Sequence, residues 1–211
     1  MASVSRETAN ASTPPMLKHW REVKAQRPDT ILFYRVGDFY EMFYQDAELA
    51  ARVLEITLTS RGDGVPLAGV PVKAAAEYLR QLVGAGHRVA ICEQVEDPRL
   101  AKGLVRREVV ETVTPGALLV DGWIPGGRNN WIAAIQRGTG GGTREAGLGQ
   151  RGRDVGLAAV DLSTGEFVLE AMTEEGLEEA ITRLSPAEVV ISNGDTAPLP
   201  PCPAAPLLTS R

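Results

Sequence analysis

Phe39 and Glu41 are the residues whose types and spacing point most directly to chemistry. They lie in Gly37-Asp38-Phe39-Tyr40-Glu41-Met42-Phe43, where three aromatics and two acids share seven positions. A flat apolar ring can wedge or stack, and a carboxylate accepts hydrogen bonds. Side chains two apart point the same way in an extended segment, because the period there is two. Inside a helix they diverge by about 200°. The stretch follows the apolar run Ile31 to Val36 and opens a helical pattern lasting to about Ile56, which sets the pair at the start of an element. The alternative for Phe39 is a core aromatic capping the helix, the role expected of Phe43. Asp38 can serve as helix N-cap or as a backbone orienter, the cap being favoured.

The elements that position this pair are read from periodicity. Thr13-Pro14-Pro15 is a helix start, with Thr at the N-cap and proline at the first helical position. Leu17, Trp20 and Val23 follow at helical spacing, and Pro28 ends the helix. Ile31–Val36 is a buried strand, and Gly37-Asp38 the turn after it. In the next helix Met42, Leu49, Val53 and Ile56 share one stripe, with Phe43, Ala47, Ala50 and Leu54 beside it. Thr57–Ser60 and Pro66–Val70 are extended, Ala74–Val83 is a helix stopped by Gly84 and Gly86, and His87–Glu93 and Glu108–Val113 are strands. This alternation predicts a compact mixed α/β domain.

A Gly/Pro-rich linker is expected over 117–128 and a second unit over 129–211. In that unit Trp131–Gln136 is a strand, Val155–Leu162 and Glu166–Ala171 form a hairpin, Glu174–Leu184 is an acidic amphipathic helix, and Glu188–Ile191 is a strand parallel to a neighbour. Residues 138–156 read as a disordered Gly/Arg-rich insertion whose Arg137, Arg144, Arg151 and Arg153 offer a DNA contact as the alternative. From Ala197, five prolines in ten residues read as disordered or as an interrupted domain. Residues 1–12 read as a mobile tail.

The 211 residues are 44% hydrophobic and 23% charged, a globular composition long enough for a core in one large or two small domains. No apolar run approaches the ~20 residues that cross a bilayer, and Met1–Ser12 has no apolar stretch of a signal peptide, so a cytoplasmic protein with no membrane partner is expected. Cys92 reads as a buried thiol and Cys202 sits among prolines, with no disulfide expected. Net charge is −5; residues 1–115 carry 15 Lys/Arg against 15 Asp/Glu, and 116–211 carry 7 against 12. Bulk charge therefore makes no case for nucleic-acid binding, which would need a local site.

The chain resembles the N-terminal part of the bacterial MutS mismatch-repair family. The resemblance is carried in order by TPPMLKHW, ILFYRVGDFYEMFYQDA, LTSRG, PLAGVP, EYLRQLV, VAICEQVEDP, KGLVRREVVETVTPG and VGLAAVDLSTGEF, from about Thr13 to Ile191. It implies an α/β fold of two small mixed domains: a mismatch-binding domain over 13–116 and an incomplete, ribonuclease-H-like connector over 129–211. The family's Phe-x-Glu motif falls on Phe39 and Glu41. By resemblance, the ring enters the minor groove and stacks on a mispaired base, while the carboxylate hydrogen-bonds that base. Arg61 matches a position near the DNA backbone, with a solvated turn residue as the alternative. The family usually has an aromatic where this chain has Val72, followed by Lys73. The partners implied are double-stranded DNA with mismatches or small loops, a second copy of the full-length protein, and downstream repair proteins.

There is no GxxxxGK[ST] motif, and glycine-rich 138–142 is followed by no Lys-Ser/Thr. This chain is therefore expected to have no ATPase activity and to need no cofactor, ATP and magnesium belonging to a domain outside it. Three function classes compete: a mismatch-binding module without chemistry, a metal nuclease built on Asp161, Glu166 and Glu170, and a connector that docks proteins with little DNA binding of its own. Solvated strand acids are the favoured reading of the three carboxylates.

Overall fold

The computed structural model describes residues 13–62, 64–117, 129–138, 155–202 and 207–210. They fall in two units, one ending at Val113 and one beginning at Thr114. The first contains α1 (Pro15–Ala25), β1 (Thr30–Val36), β2 (Phe39–Phe43), α2 (Tyr44–Leu54), β3 (Thr59–Ser60), β4 (Pro66–Pro71), a 3-10 turn (Val72–Ala74), α3 (Ala75–Gly84), β5 (Arg88–Gln94) and β6 (Arg107–Val113). Its strands form one sheet in the order β3-β4-β2-β1-β5-β6. Only β1 and β5 run parallel.

The residues after Gly37 form a strand, which corrects the helix expected there. Gly37 takes φ +57°, and the two-residue Gly37-Asp38 turn brings Val36 opposite Phe39. A glycine at the first position of such a turn admits the hairpin geometry that matches strand twist. The chain then runs between β1 and β4 until Tyr44, at φ +55°, redirects it into α2. Asp38 is thus a hairpin-turn residue and not a helix cap; the N-cap of α2 is Phe43, without a side-chain bond. Because the helix begins at Tyr44, its buried stripe is Ala47, Ala50 and Leu54 with Asp46, while Leu49, Val53 and Ile56 are only partly buried. Thr13 is likewise not the cap of α1, which opens at Pro14 with proline in its first turn.

The alternation of β-strands sorts the core into two faces. α1 covers one face, burying Leu17 and Trp20 against Leu32, Tyr34, Phe43, Ala90 and Cys92. Residues of the opposite parity, Ile31, Phe33, Met42, Ala68, Val70 and Val89, are buried as well, and α2 and α3 pack on strands β1, β2, β4 and β5. Where β2 leaves the sheet, the Leu32 N–H donates to Asp46 Oδ2 (3.0 Å), and Lys24 Nζ donates to Oδ1 (2.7 Å). A buried carboxylate thereby replaces the strand partner that β1 loses, as a buried N–H requires.

The second unit contains β7 (Trp131–Arg137), β8 (Val155–Asp161), β9 (Phe167–Met172), α4 (Glu174–Leu184), β10 (Glu188–Ile191) and β11 (Leu207–Ser210), with sheet order β11-β10-β7-β8-β9. β10 is parallel to both β7 and β11. α4 opens on Thr173, whose hydroxyl accepts from Gly176 N–H, and packs Leu177, Ala180, Ile181 and Leu184 on Trp131, Ala133, Ile135, Leu157 and Val189. Of the two readings of the tail from Ala197, disordered or an interrupted domain, the pairing of β11 corrects the first at Leu207–Ser210: ladder bonds come from the main chain and need no apolar periodicity. The 1–12 tail, positions 118–128 of the linker, and positions 139–154 of the Gly/Arg-rich insertion lie outside the described residues.

Candidate nucleic-acid interface

Phe39 is the first residue of β2, beside the hairpin turn, and the residue is 47% exposed. Glu41 follows on the same face of the strand, half-buried. The face they share is the one that α1 covers further along, through Phe43. The hairpin holds them there because Tyr40, on the opposite face, is fixed three ways. Its ring stacks on Phe33 at 5.6 Å, its hydroxyl donates to Glu93, and the Arg35 guanidinium lies over it at 5.7 Å. With Tyr40 locked inward, period-two geometry turns Phe39 and Glu41 outward from α2 and α3. Burial and the Glu93 bond push the Tyr40 hydroxyl up to about 12, so it remains a donor at neutral pH.

The surroundings of Glu41 are cationic. Arg61 Nη1 lies 3.3 Å from its Oε2, and the same guanidinium rests 5.9 Å from the Phe43 ring. Across the strand pair Glu41 faces Tyr34, whose ring carries the buried Arg107 guanidinium at 5.0 Å. Burial raises the Glu41 carboxyl above its ordinary value of 4.5; Arg61 and Arg107 pull it back only in part. The result is a carboxylate whose proton affinity is raised, next to a ring that solvent already reaches.

Of the four residues singled out by sequence, the structure brings Phe39, Glu41 and Arg61 together. Asp38 is exposed in the turn, and its carbonyl accepts from Val72 N–H at 2.9 Å. That bond ties the hairpin tip to the 3-10 turn carrying Val72 and the exposed Lys73. Gly69 and Arg107 also belong to the site, although sequence spacing does not mark them. Gly69 lies opposite Glu41 on β4; an interior strand glycine is a signal of close backbone approach. Arg107 donates to the Arg35 and Val105 carbonyls at 2.7 Å each, a burial that its charge in sequence conceals.

The three acids considered for metal chemistry have separate structural duties. Asp161 is buried and accepts from Ser163 Oγ (2.6 Å), Ser163 N–H (2.8 Å) and Asn130 N–H (3.2 Å). Burial acts to raise its pKa, but these bonds outweigh it and hold the carboxyl below its usual range. Glu166 accepts from Asn129, and Glu170 pairs with Arg183 of α4 at 2.8 Å. Among the described residues no group of three His, Cys, Asp or Glu is placed to hold a metal ion. Arg137, counted by sequence with the basic insertion, is instead buried in β7 and bound to Glu174 (2.7 Å) and Asp195 (2.8 Å). Among the described residues, no helix is long and apolar enough to cross a membrane.

Comparison with known proteins matches this architecture unit by unit. The family model for MutS domain I matches residues 14–122, and that for MutS domain II matches residues 130–204. A protein of Desulfosudis oleivorans described as DNA mismatch repair protein MutS is 44% identical over 200 residues, covering 92% of this chain and 21% of the relative. A protein of Rhodopseudomonas palustris with the same description is 45% identical over 87% of the chain, and one of Desulfatibacillum aliphaticivorans is 46% identical over 84%. The chain spans about one fifth of the length of these relatives. With its two units matched in order to the first two domains of that family, the chain belongs to the MutS family.

Proposed function

We propose that this chain recognises mispaired or unpaired bases in duplex DNA, Phe39 entering from the minor groove and Glu41 bonding the base it meets. The observation that carries the reading is a phenylalanine left 47% exposed at a strand start, beside a half-buried carboxylate on the same face. Wedging an apolar side chain between base steps costs a few kcal/mol and kinks the duplex. Stacking on the ring returns roughly 1–3 kcal/mol per base. The balance turns on how firmly the step was stacked beforehand, so a mispair or looped-out base tips it. Arg61 and the exposed Lys73 supply positive charge for the backbone, and Asp38 fixes the turn that presents the ring.

In this reading residues 13–116 bind the lesion, 117–128 link, and 129–211 begin a ribonuclease-H-like connector. The chain works without ATP, metal or ATPase activity of its own, in the cytoplasm, as part of a longer protein that dimerises and meets downstream repair proteins. The test is affinity for a heteroduplex against the matched homoduplex at low salt, for wild type and Phe39→Ala. A heteroduplex preference that disappears in Phe39→Ala supports the reading; equal affinities in both proteins overturn it. A second reading, a connector that docks proteins and binds little DNA, draws on the apolar residues Phe167, Leu169 and Leu208 exposed in the second unit. It is favoured if neither duplex is bound.

A further inference from the structure

Gly69 is the one interior strand residue of β4 that is exposed, set between buried Ala68 and Val70. Nothing in the fold demands a glycine there. It is not among the glycines with positive φ. A Cβ at this position would meet Tyr40 O at 3.6 Å, Phe39 Cδ1 at 3.8 Å and Glu41 Cγ at 3.9 Å, all ordinary contact distances. Glycine weakens a strand interior, so its presence where a side chain would fit inside the protein calls for a reason outside it. The two nearest side chains are Phe39 and Glu41. On the other flank, β3 pairs β4 only at Pro66 and Leu67, so the main chain at Gly69 is uncovered there.

We propose that Gly69 is a clearance position for the DNA. Resting on the binding reading above, the edge of the base pair next to the inserted ring seats on the bare β4 main chain. That approach lets the Phe39 ring reach full stacking depth and brings the Glu41 carboxylate within bonding distance of the base. A side chain at 69 stands in the same plane as the ring and the carboxylate and holds the groove away from both. Gly69 is therefore a positioning residue: its bare main chain sets how deeply Phe39 enters, while the ring and the carboxylate make the contacts to the mispaired base.

The test uses the full 211-residue chain and a short duplex with one central unpaired thymine, beside its fully paired counterpart. Wild type, Gly69→Ala, Gly69→Val and Phe39→Ala are compared by equilibrium binding and thermal unfolding. A 2-aminopurine next to the bulge reports insertion of the ring. Bulge affinity should fall in steps from glycine to alanine to valine, the valine loss reaching the roughly 5- to 150-fold worth of one stacked base. The melting midpoint should stay near wild type, since a β-branched residue suits a strand, and the affinity loss should be larger on the bulge than on the paired duplex. The Phe39-dependent 2-aminopurine signal should be absent in Gly69→Val. If Gly69→Val folds and binds the bulge like wild type while Phe39→Ala does not, the clearance role is overturned and the binding reading stands. If Gly69→Val unfolds and Gly69→Ala binds like wild type, the glycine is structural and the proposal falls. If wild type itself shows no preference for the bulge, both fall together.

Discussion

The Arg61 guanidinium lies 3.3 Å from the Glu41 carboxylate, and twenty positions of sequence separate the two. The pair is only partly sheltered, with side-chain exposures of 38% and 20%. Its direct contribution to stability is therefore small, on the order of 0–1 kcal/mol. Its larger effect is on proton affinity. Burial raises the Glu41 carboxyl, and Arg61 limits how far.

The pH dependence of Glu41 follows from that direction. An acid whose pKa is raised in the folded state binds its proton more tightly folded than unfolded. Its stabilising contribution is complete below its ordinary 4.5 and is lost as pH rises through the higher folded value. Glutamine cannot titrate. Wild type should thus gain stability relative to Glu41→Gln on acidification from about pH 7 to about pH 4, measured by urea midpoints. Heteroduplex affinity of wild type should strengthen over the same range and that of Glu41→Gln should stay level. Parallel pH profiles for the two proteins would contradict the assignment.

The hairpin turn should be sensitive to a Cβ at Gly37. Its φ of +57° places a β-branched side chain in conflict with the backbone. Gly37→Val is expected to cost roughly 1–2 kcal/mol of stability. Gly37→Asn should cost visibly less, because asparagine tolerates this region. Since Phe39 is aimed by this turn, heteroduplex binding should weaken in the same order. Equal melting midpoints for the two variants would argue against the turn geometry.

The two thiols should react at very different rates. Cys92 is fully buried, and that burial pushes its pKa up to about 11, whereas Cys202 is partly exposed. The thiolate is the reactive form, so burial and protonation protect Cys92 together. An aromatic disulfide reagent near pH 8 should titrate one thiol promptly in the native protein and the second only on unfolding. Prompt release of two equivalents would show that Cys92 is accessible.

Arg137 is a buried charge whose removal should be costly. Its side chain is 6% exposed and bridges Glu174, Asp195 and the Pro198 carbonyl. Breaking a buried pair strands the partner, a loss of about 3–5 kcal/mol in full burial. Glu174 is 42% exposed, so Arg137→Met should cost about 2–4 kcal/mol. Hydrogen exchange should show faster opening of β7, β8 and β10 with β1, β2 and β5 unchanged. A loss below about 1 kcal/mol would mean that the ion cluster is solvated.

Sequence alone determined the alternation of strands and helices, the mixed α/β class, and the pairing of a ring with an acid two positions later. Apolar periodicity and glycine or proline punctuation carry those signals locally, as in Glu174–Leu184, where helix bounds and structure coincide. The family, too, was legible in the order of short motifs. What the sequence did not settle was the stretch after Gly37. Met42, Leu49, Val53 and Ile56 fit a helical stripe, yet Phe39–Phe43 is held as a strand by β1 on one side and β4 on the other. Those partners are fixed only when the chain has closed on itself. The same holds for Arg61 beside Glu41, for Arg107 beneath Tyr34 and for Gly69 opposite Glu41. Such contacts join residues far apart in the chain, and local propensity is blind to them. The tertiary structure decided which charges are buried and which ring meets solvent, because sheet pairing assigns each side chain its face.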